Sequence, residues 1–317
     1  MPLSKRIFSG RFLFRWVVLP IGIFLWQSCI FKAASTVFAQ ISLEKGSVVS
    51  PPFKDIIPQT PAAIAVGPLG NLVLLDARLA TILKLGRDGK LLGQIGGPGS
   101  GVEQFSAPAD LCVLSGLDVF VADRGNDRIV RLDRQLHYLA EYRAQEGTSA
   151  DLVFDNPLSV VLTPRGDLFI ADGGNDRILK LDPSGREVFS FGAYGEEKES
   201  LTAPFRLELD PRGGIWVLDA RGKVSHFDEY GGYLESLMAQ LRGSPTGLAV
   251  SANYLWVTSD SLIWVVDRKG RTVRVFDPQM ICDPPASAIV DAAFWKDTLW
   301  LLDKRGWLYS FTVVSER

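Results

Sequence analysis

The segment DRGNDRIVRLD at 123–133 returns almost unchanged at 172–182 as DGGNDRILKLD, 49 residues further on. A near-copy at a fixed offset marks a duplicated supersecondary unit, and such a period constrains the fold more than any local propensity does. Each copy has a proline fifteen residues before its first Asp: Pro108 for Asp123 and Pro157 for Asp172. The same spacing links Pro61 to Asp76, Pro204 to Asp219 and Pro245 to Asp260, and it sets Ala288 against Asp303. Six units result, with Asp-to-Asp intervals of 47, 49, 47, 41 and 43 residues.

Each unit reads as four short strands. An apolar stretch follows the proline, as in AAIAV or LSVVL, and a turn such as GPLGN or TPRGD leads to a second apolar run that ends at the Asp. A polar loop, a third run (RIVRLD, RILKLD), another turn (GRDG, DPSG) and a fourth run complete the unit. Enrichment in Val, Ile, Phe and Trp between Gly/Asn/Asp turns predicts antiparallel strands. YLESLMAQL at 233–241 has Leu234, Leu237, Met238 and Leu241 at helical spacing. Nine residues make a marginal helix, and the segment stands where a fourth strand belongs, so a strand is expected. Six such units predict an all-β, six-bladed β-propeller. The sixth unit ends in WLYSFTVVSER with no room for a fourth strand. QISLEKG (40–46) or FKDII (53–57) is expected to supply it and so leave no bare sheet edge.

The chain has 317 residues, is 47% hydrophobic and carries a net charge of -2. That composition suits a globular protein and provides no general attraction for nucleic acid or anionic membrane. Residues 1–39 differ: Lys5, Arg6, Arg11 and Arg15 precede the apolar run 16–31, and small residues follow. This is the layout of an export signal cut after Ala39; an uncleaved anchor is the alternative, although the run is shorter than the roughly 20 residues a spanning helix needs. The expected organisation is a signal peptide or N-terminal membrane anchor at 1–39, a segment with the closing strand at 40–60, and the propeller at 61–317. A periplasmic or extracellular monomer is expected, touching a membrane only through an uncleaved N-terminal segment. Cys29 leaves with the signal, and Cys112 and Cys282 then form no disulfide framework and read as buried filler.

IGGPGSGVEQFSAPADLCV (95–113) followed by DVFVADRGNDRIVRLD (118–133) resembles an NHL repeat, with its Gly-rich loop, Phe before Pro and AD..N.RI signature. Residues 156–192 resemble a second. The resemblance implies a six-bladed propeller displaying loops on one rim, and it implies no particular activity. Amidating lyases, which resemble NHL proteins, use a histidine-rich zinc site; His137 and His226 cannot supply three zinc ligands. Lactonase-like propellers use carboxylates and amides around calcium or zinc, which Asp110, Glu208 and Asp291 imitate without a matching inward Asn.

The Asp that recurs in every unit is read as structural. It accepts backbone N–H groups of the turn it opens, with Asn126 and Asn175 suited to left-handed positions there. Loss of the Asp172 carboxylate is expected to cost on the order of 1 kcal/mol. Phe120, Phe169, Trp216 and Trp300 share one place in the second strand and are expected between blades; the same packing role is expected for Trp256, Trp264, Trp295 and Trp307. Functional residues should instead break the repeat. Asp110, Arg206, Glu208 and Asp291 intrude into otherwise apolar first strands, and a first turn one residue short in unit six brings Asp291 level with Asp110, Ser159, Arg206 and Gly247 near a central channel. The rim arginines Arg78, Arg124, Arg128, Arg177, Arg221 and Arg305 form the other candidate set, for a protein, peptide or glycan. No phosphate loop, GxSxG or HExxH text occurs, so a non-enzymatic binding module without cofactor is expected. The alternative is a metal-dependent lyase or lactonase built on the channel carboxylates.

Overall fold

Strands alternate with tight turns from one end of the described region to the other, and the register between them sets where every candidate residue lies. The computed structural model describes residues 41–113, 118–143, 154–193, 195, 197–237 and 244–315. The export-signal reading of residues 1–39 and the tail of the segment with mixed periodicity (238–241) lie outside the described residues. Among the described residues no helix is long and apolar enough to cross a membrane.

Six four-stranded antiparallel sheets follow one another along the chain. Strand β1 (Ile41–Val49) comes first in sequence. Blade 1 comprises β2 (Pro61–Val66), β3 (Leu72–Asp76), β4 (Thr81–Leu85) and β5 (Leu91–Gly96), and blade 2 comprises β6 (Asp110–Cys112), β7 (Asp118–Asp123), β8 (Arg128–Asp133) and β9 (Tyr138–Arg143). Blade 3 holds β10 (Pro157–Leu162), β11 (Leu168–Asp172), β12 (Arg177–Leu181) and β13 (Glu187–Phe191). Blade 4 holds β14 (Pro204–Leu209), β15 (Ile215–Asp219), β16 (Val224–Phe227) and β17 (Tyr233–Leu237), the last a strand as expected. Blade 5 holds β18 (Pro245–Val250), β19 (Tyr254–Ser259), β20 (Ile263–Asp267) and β21 (Thr272–Phe276). Blade 6 is β22 (Ile289–Trp295), β23 (Thr298–Asp303) and β24 (Leu308–Ser315), completed by β1 pairing antiparallel with β24. QISLEKG therefore supplies the closing strand; FKDII does not, since Phe53 and Ile56 make only an isolated bridge.

The inner strands β2, β6, β10, β14, β18 and β22 lie side by side in a closed ring. Burial explains the closure. The second strands are buried on both faces, and the two-residue period of a strand sends alternate side chains to opposite neighbours. Leu72 and Leu74 enter the core shared with blade 6, whereas Val73 and Leu75 enter the core shared with blade 2. Six apolar cores result, one between each pair of adjacent blades. Phe120, Phe169, Trp216, Trp300, Trp256 and Trp264 are all buried in them, each contributing at least about 1.5–3 kcal/mol.

The recurrent aspartates are fully buried at the second-strand ends. Asp76 accepts from the Gln59 and Thr60 amides of the incoming segment and from Arg78 and Leu79 of its own turn. Asp303 does the same through Ser287, Arg305 and Trp307. Blade 5 departs from the expected spacing: Pro245 pairs with Ser259, so the buried position belongs to Ser259, whose hydroxyl accepts from Ser261 and Leu262, and Asp260 is exposed. A second correction concerns the DRGNDR turns. Asn126 and Asn175 donate to the Asp123 and Asp172 carboxylates, and the left-handed residues are Asp127 (φ 46°) and Asp176 (φ 54°).

These two left-handed aspartates reach the next blade. Asp127 Oδ1 accepts the Asn156 amide at 2.8 Å, and Asp176 Oδ1 accepts the Ala203 amide at 2.6 Å. Asp127→Ala is expected to cost about 1–2 kcal/mol in urea unfolding, from the lost cross-blade bond and the left-handed backbone that Ala tolerates less well. Asp127→Gly should lose roughly half as much, because Gly relieves the backbone. A Gly variant at least as destabilised as the Ala variant would contradict this.

Candidate functional site

Five of the six inner strands carry a register irregularity directly after their first residue, as between Pro61 and Ala63 or Pro204 and Arg206. Such a bulge re-aims the next side chain. Opposite β3, β7, β11, β15, β19 and β23, the residues Ala63, Asp110, Ser159, Arg206, Gly247 and Asp291 stand at one level of the ring, all but Asp110 directly after such a bulge. The pairing of Ile289 with Asp303 gives blade 6 the one-residue shortening that brings Asp291 into line.

An inner strand is a sheet edge, so half of its N–H groups lack a ladder partner. The polar residues of this ring fill part of that need on the neighbouring strand. Asp291 accepts the Ile64 amide of blade 1 at 2.9 Å, Ser159 accepts the Leu207 amide of blade 4 at 3.0 Å, and the Ser159 hydroxyl donates to Asp110. Arg206 spans the channel: its Nη2 donates to the Ala62 carbonyl at 2.8 Å, Nε lies 3.4 Å from Asp291 and Nη1 3.9 Å from Asp110. Small residues at the other positions make room. A Cβ on Gly247 would stand 2.6 Å from Asp291 Oδ1.

One pleat further along β14, Glu208 reaches the floor of a cavity of about 660 Å³. Among the described residues the Glu208 carboxyl has no hydrogen bond or ion pair, its backbone pairing with Trp216 in the ladder. The walls come from the far ends of the inner strands and the first hairpin turns, including Val66, Val113, Leu209, Val250, Phe294 and Trp295. Trp295, expected as packing, thus lines the mouth; nothing in its sequence context separates it from the buried tryptophans. Burial pushes the Glu208 carboxyl well above the usual carboxylate range, with Asp291 and Asp110 adding to the rise and Arg206 opposing it. Burial also raises Asp110 and takes Asp291 up to about 7, in both cases against Arg206.

Asp110, Arg206, Glu208 and Asp291 are therefore brought together as expected. Among the described residues, however, no group of three or more His, Cys, Asp or Glu is arranged to hold a metal ion. His137 sits in an exposed turn beside Asp133, and His226 is stacked on Trp216 with Asp210 at 3.2 Å. Burial pushes the Cys112 and Cys282 thiols up to about 12, in keeping with inert filler.

The rim arginines are not grouped with this cavity, since they lie at the opposite ends of the inner strands. Arg128 is fully buried, held by Asp123 at 2.7 Å, Glu141 at 2.7 Å and the Gly101 and Gln104 carbonyls. It is an internal anchor and is not available to a rim ligand. Arg177, Arg221 and Arg305 pair with the recurrent Asp172, Asp219 and Asp303 of their own blades. Arg78 and Arg124 are exposed.

The NHL repeat family model matches residues 105–132, the second blade's loop and strands. This match and the six-bladed architecture together fit an NHL-repeat propeller. Among solved structures, this NHL propeller is similar to a streptogramin B lyase (14% identity over 86% of this chain and 98% of that one, TM-score 0.60). It is similar to a putative gluconolactonase at 17% identity, with 87% of this chain and 99% of that one covered and a TM-score of 0.62. A gluconolactonase from Xanthomonas campestris gives 14%, 86%, 99% and 0.60 on the same measures. These likenesses show the propeller fold alone. No curated protein matches the chain.

Proposed function

We propose that this NHL propeller is an exported, non-enzymatic binding module for a protein, peptide or glycan, and that part of the ligand enters the central cavity. The observation that carries this reading is Arg206. Its guanidinium occupies the place between Asp110 and Asp291 where a metal ion would otherwise neutralise them. A cavity of this size, mostly apolar with a few converging polar groups, has the make-up of a ligand site. The rim arginines support the reading less well, because most of them are already paired within their own blades.

The second reading is a metal-dependent lyase or lactonase. Three carboxyls do converge on the cavity floor, and similar folds include enzymes whose names state lyase and gluconolactonase activities. Turnover assays separate the two. Purified protein is offered lactones and streptogramin-type depsipeptides with and without Mg²⁺, Ca²⁺ or Zn²⁺. The binding reading expects no turnover above that of Asp291→Asn; metal-stimulated turnover that Asp291→Asn abolishes would overturn it.

A further inference from the structure

The charged groups facing the cavity do not balance. Three of them are settled locally: Arg165 pairs with Glu229 at 3.0 Å, and Asp210 is neutralised by Arg268 at 2.7 Å while also accepting the Trp216 indole N–H. Asp110, Glu208 and Asp291 remain, with Arg206 as their sole counter-ion among the cavity's lining residues. Arg206 is committed to Asp110, Asp291 and the Ala62 carbonyl, which leaves Glu208 unpartnered at the floor beneath apolar walls.

We infer that the cavity takes an organic cation, a primary ammonium group on an apolar stem such as a lysine side chain or an alkylamine, with Glu208 as its recognition carboxylate. An ammonium offers three donors and an apolar stem, matching one free carboxylate under a greasy wall. A divalent metal ion wants six to eight oxygens for calcium or four fixed ligands for zinc, which the described side chains do not assemble. The titratable and charged groups acting on Glu208 are Asp110, Asp291 and the neutral Cys112 thiol on inner strands across the channel, and Arg206 on its own strand. Burial raises the floor carboxyls, so an ammonium that ionises one of them is expected to displace a proton.

This inference rests on the binding reading, and its test is separable from that of the reading. Isothermal titration of the whole protein with n-butylammonium, at pH 6 and 8 and in buffers of different ionisation enthalpy, is the direct experiment. The expected result is single-site binding with proton release, weaker by about tenfold for each unit of acidification while one proton is displaced. Binding should fall at least tenfold in Glu208→Gln and be absent for n-butanol. A melting curve of Glu208→Gln checks that it folds; if it does not, competition by n-butanol at high excess against n-butylammonium in the wild type decides in its place, and equal displacement would overturn the inference. Equal affinity of both proteins, or no n-butylammonium binding at all, would also overturn it while leaving the turnover result standing. Metal-dependent turnover would instead remove the binding reading itself.

Discussion

Asp123→Ala is expected to lower the free energy of unfolding by about 3–5 kcal/mol, because it leaves a guanidinium buried without its carboxylate. Arg128 is fully buried, and its Nε donates to Asp123 at 2.7 Å. Asp123 also accepts the Ser106 amide and the Asn126 side chain, so three donors lose their partner together. Counting one turn bond per aspartate, as the repeat alone suggests, gives about 1 kcal/mol; the buried arginine raises it. Urea unfolding of Asp123→Ala beside Asp123→Ala/Arg128→Met makes the cause visible. Removing both charges should recover at least about 1 kcal/mol, since replacing a buried pair costs less than breaking it. A double variant no more stable than the single one would show that the ion pair is not the source.

The second large effect belongs to the channel. Arg206→Met removes the cation that opposes the rise of Asp110, Glu208 and Asp291. At pH 8 the loss is expected to be about 3–5 kcal/mol, as for other broken buried ion pairs. At pH 5 it should be much smaller. These carboxyls titrate above their ordinary values in the folded protein, so between about pH 4 and 7 the folded state holds protons that the unfolded chain has released, and stability falls as pH rises. Without Arg206 the carboxyls rise further and the slope steepens. His226, pushed down by burial, works in the other sense, its contribution being lost as pH falls below its ordinary value; it is common to both chains and cancels in their difference. A loss equal at both pH values would reduce Arg206 to a packing role.

The proline-to-aspartate spacing was enough to read the blades and their number, because it measures a real ladder: Pro61 pairs with Asp76, Pro157 with Asp172 and Pro204 with Asp219. It is off by one residue at Asp260, where the shorter blade 5 pairs Pro245 with Ser259, and again in blade 6, where Ile289 and not Ala288 pairs with Asp303. Composition cannot distinguish two adjacent polar residues after an apolar run. Arg128 and Arg177 stand in the same NDRI text yet differ in burial, because the loop carbonyls of Gly101 and Gln104 and the Glu141 side chain enclose Arg128, whereas Arg177 meets Ser190. Those partners lie in other strands and loops, beyond the reach of a local motif. The channel charges stood out as interruptions of apolar strands. Their pairing did not, since Arg206 draws on blades 1, 2 and 6 at once, and only that pairing singles out Glu208.

Calorimetric titration of the whole protein with Ca²⁺, Mg²⁺ and Zn²⁺ at pH 7.5 bears most directly on the claim that the chain's own guanidinium stands where a metal would. No stoichiometric site should be found in the wild type, and Asp291→Asn should titrate identically. One ion bound per chain, and lost on changing Asp291 or Glu208, would contradict the account.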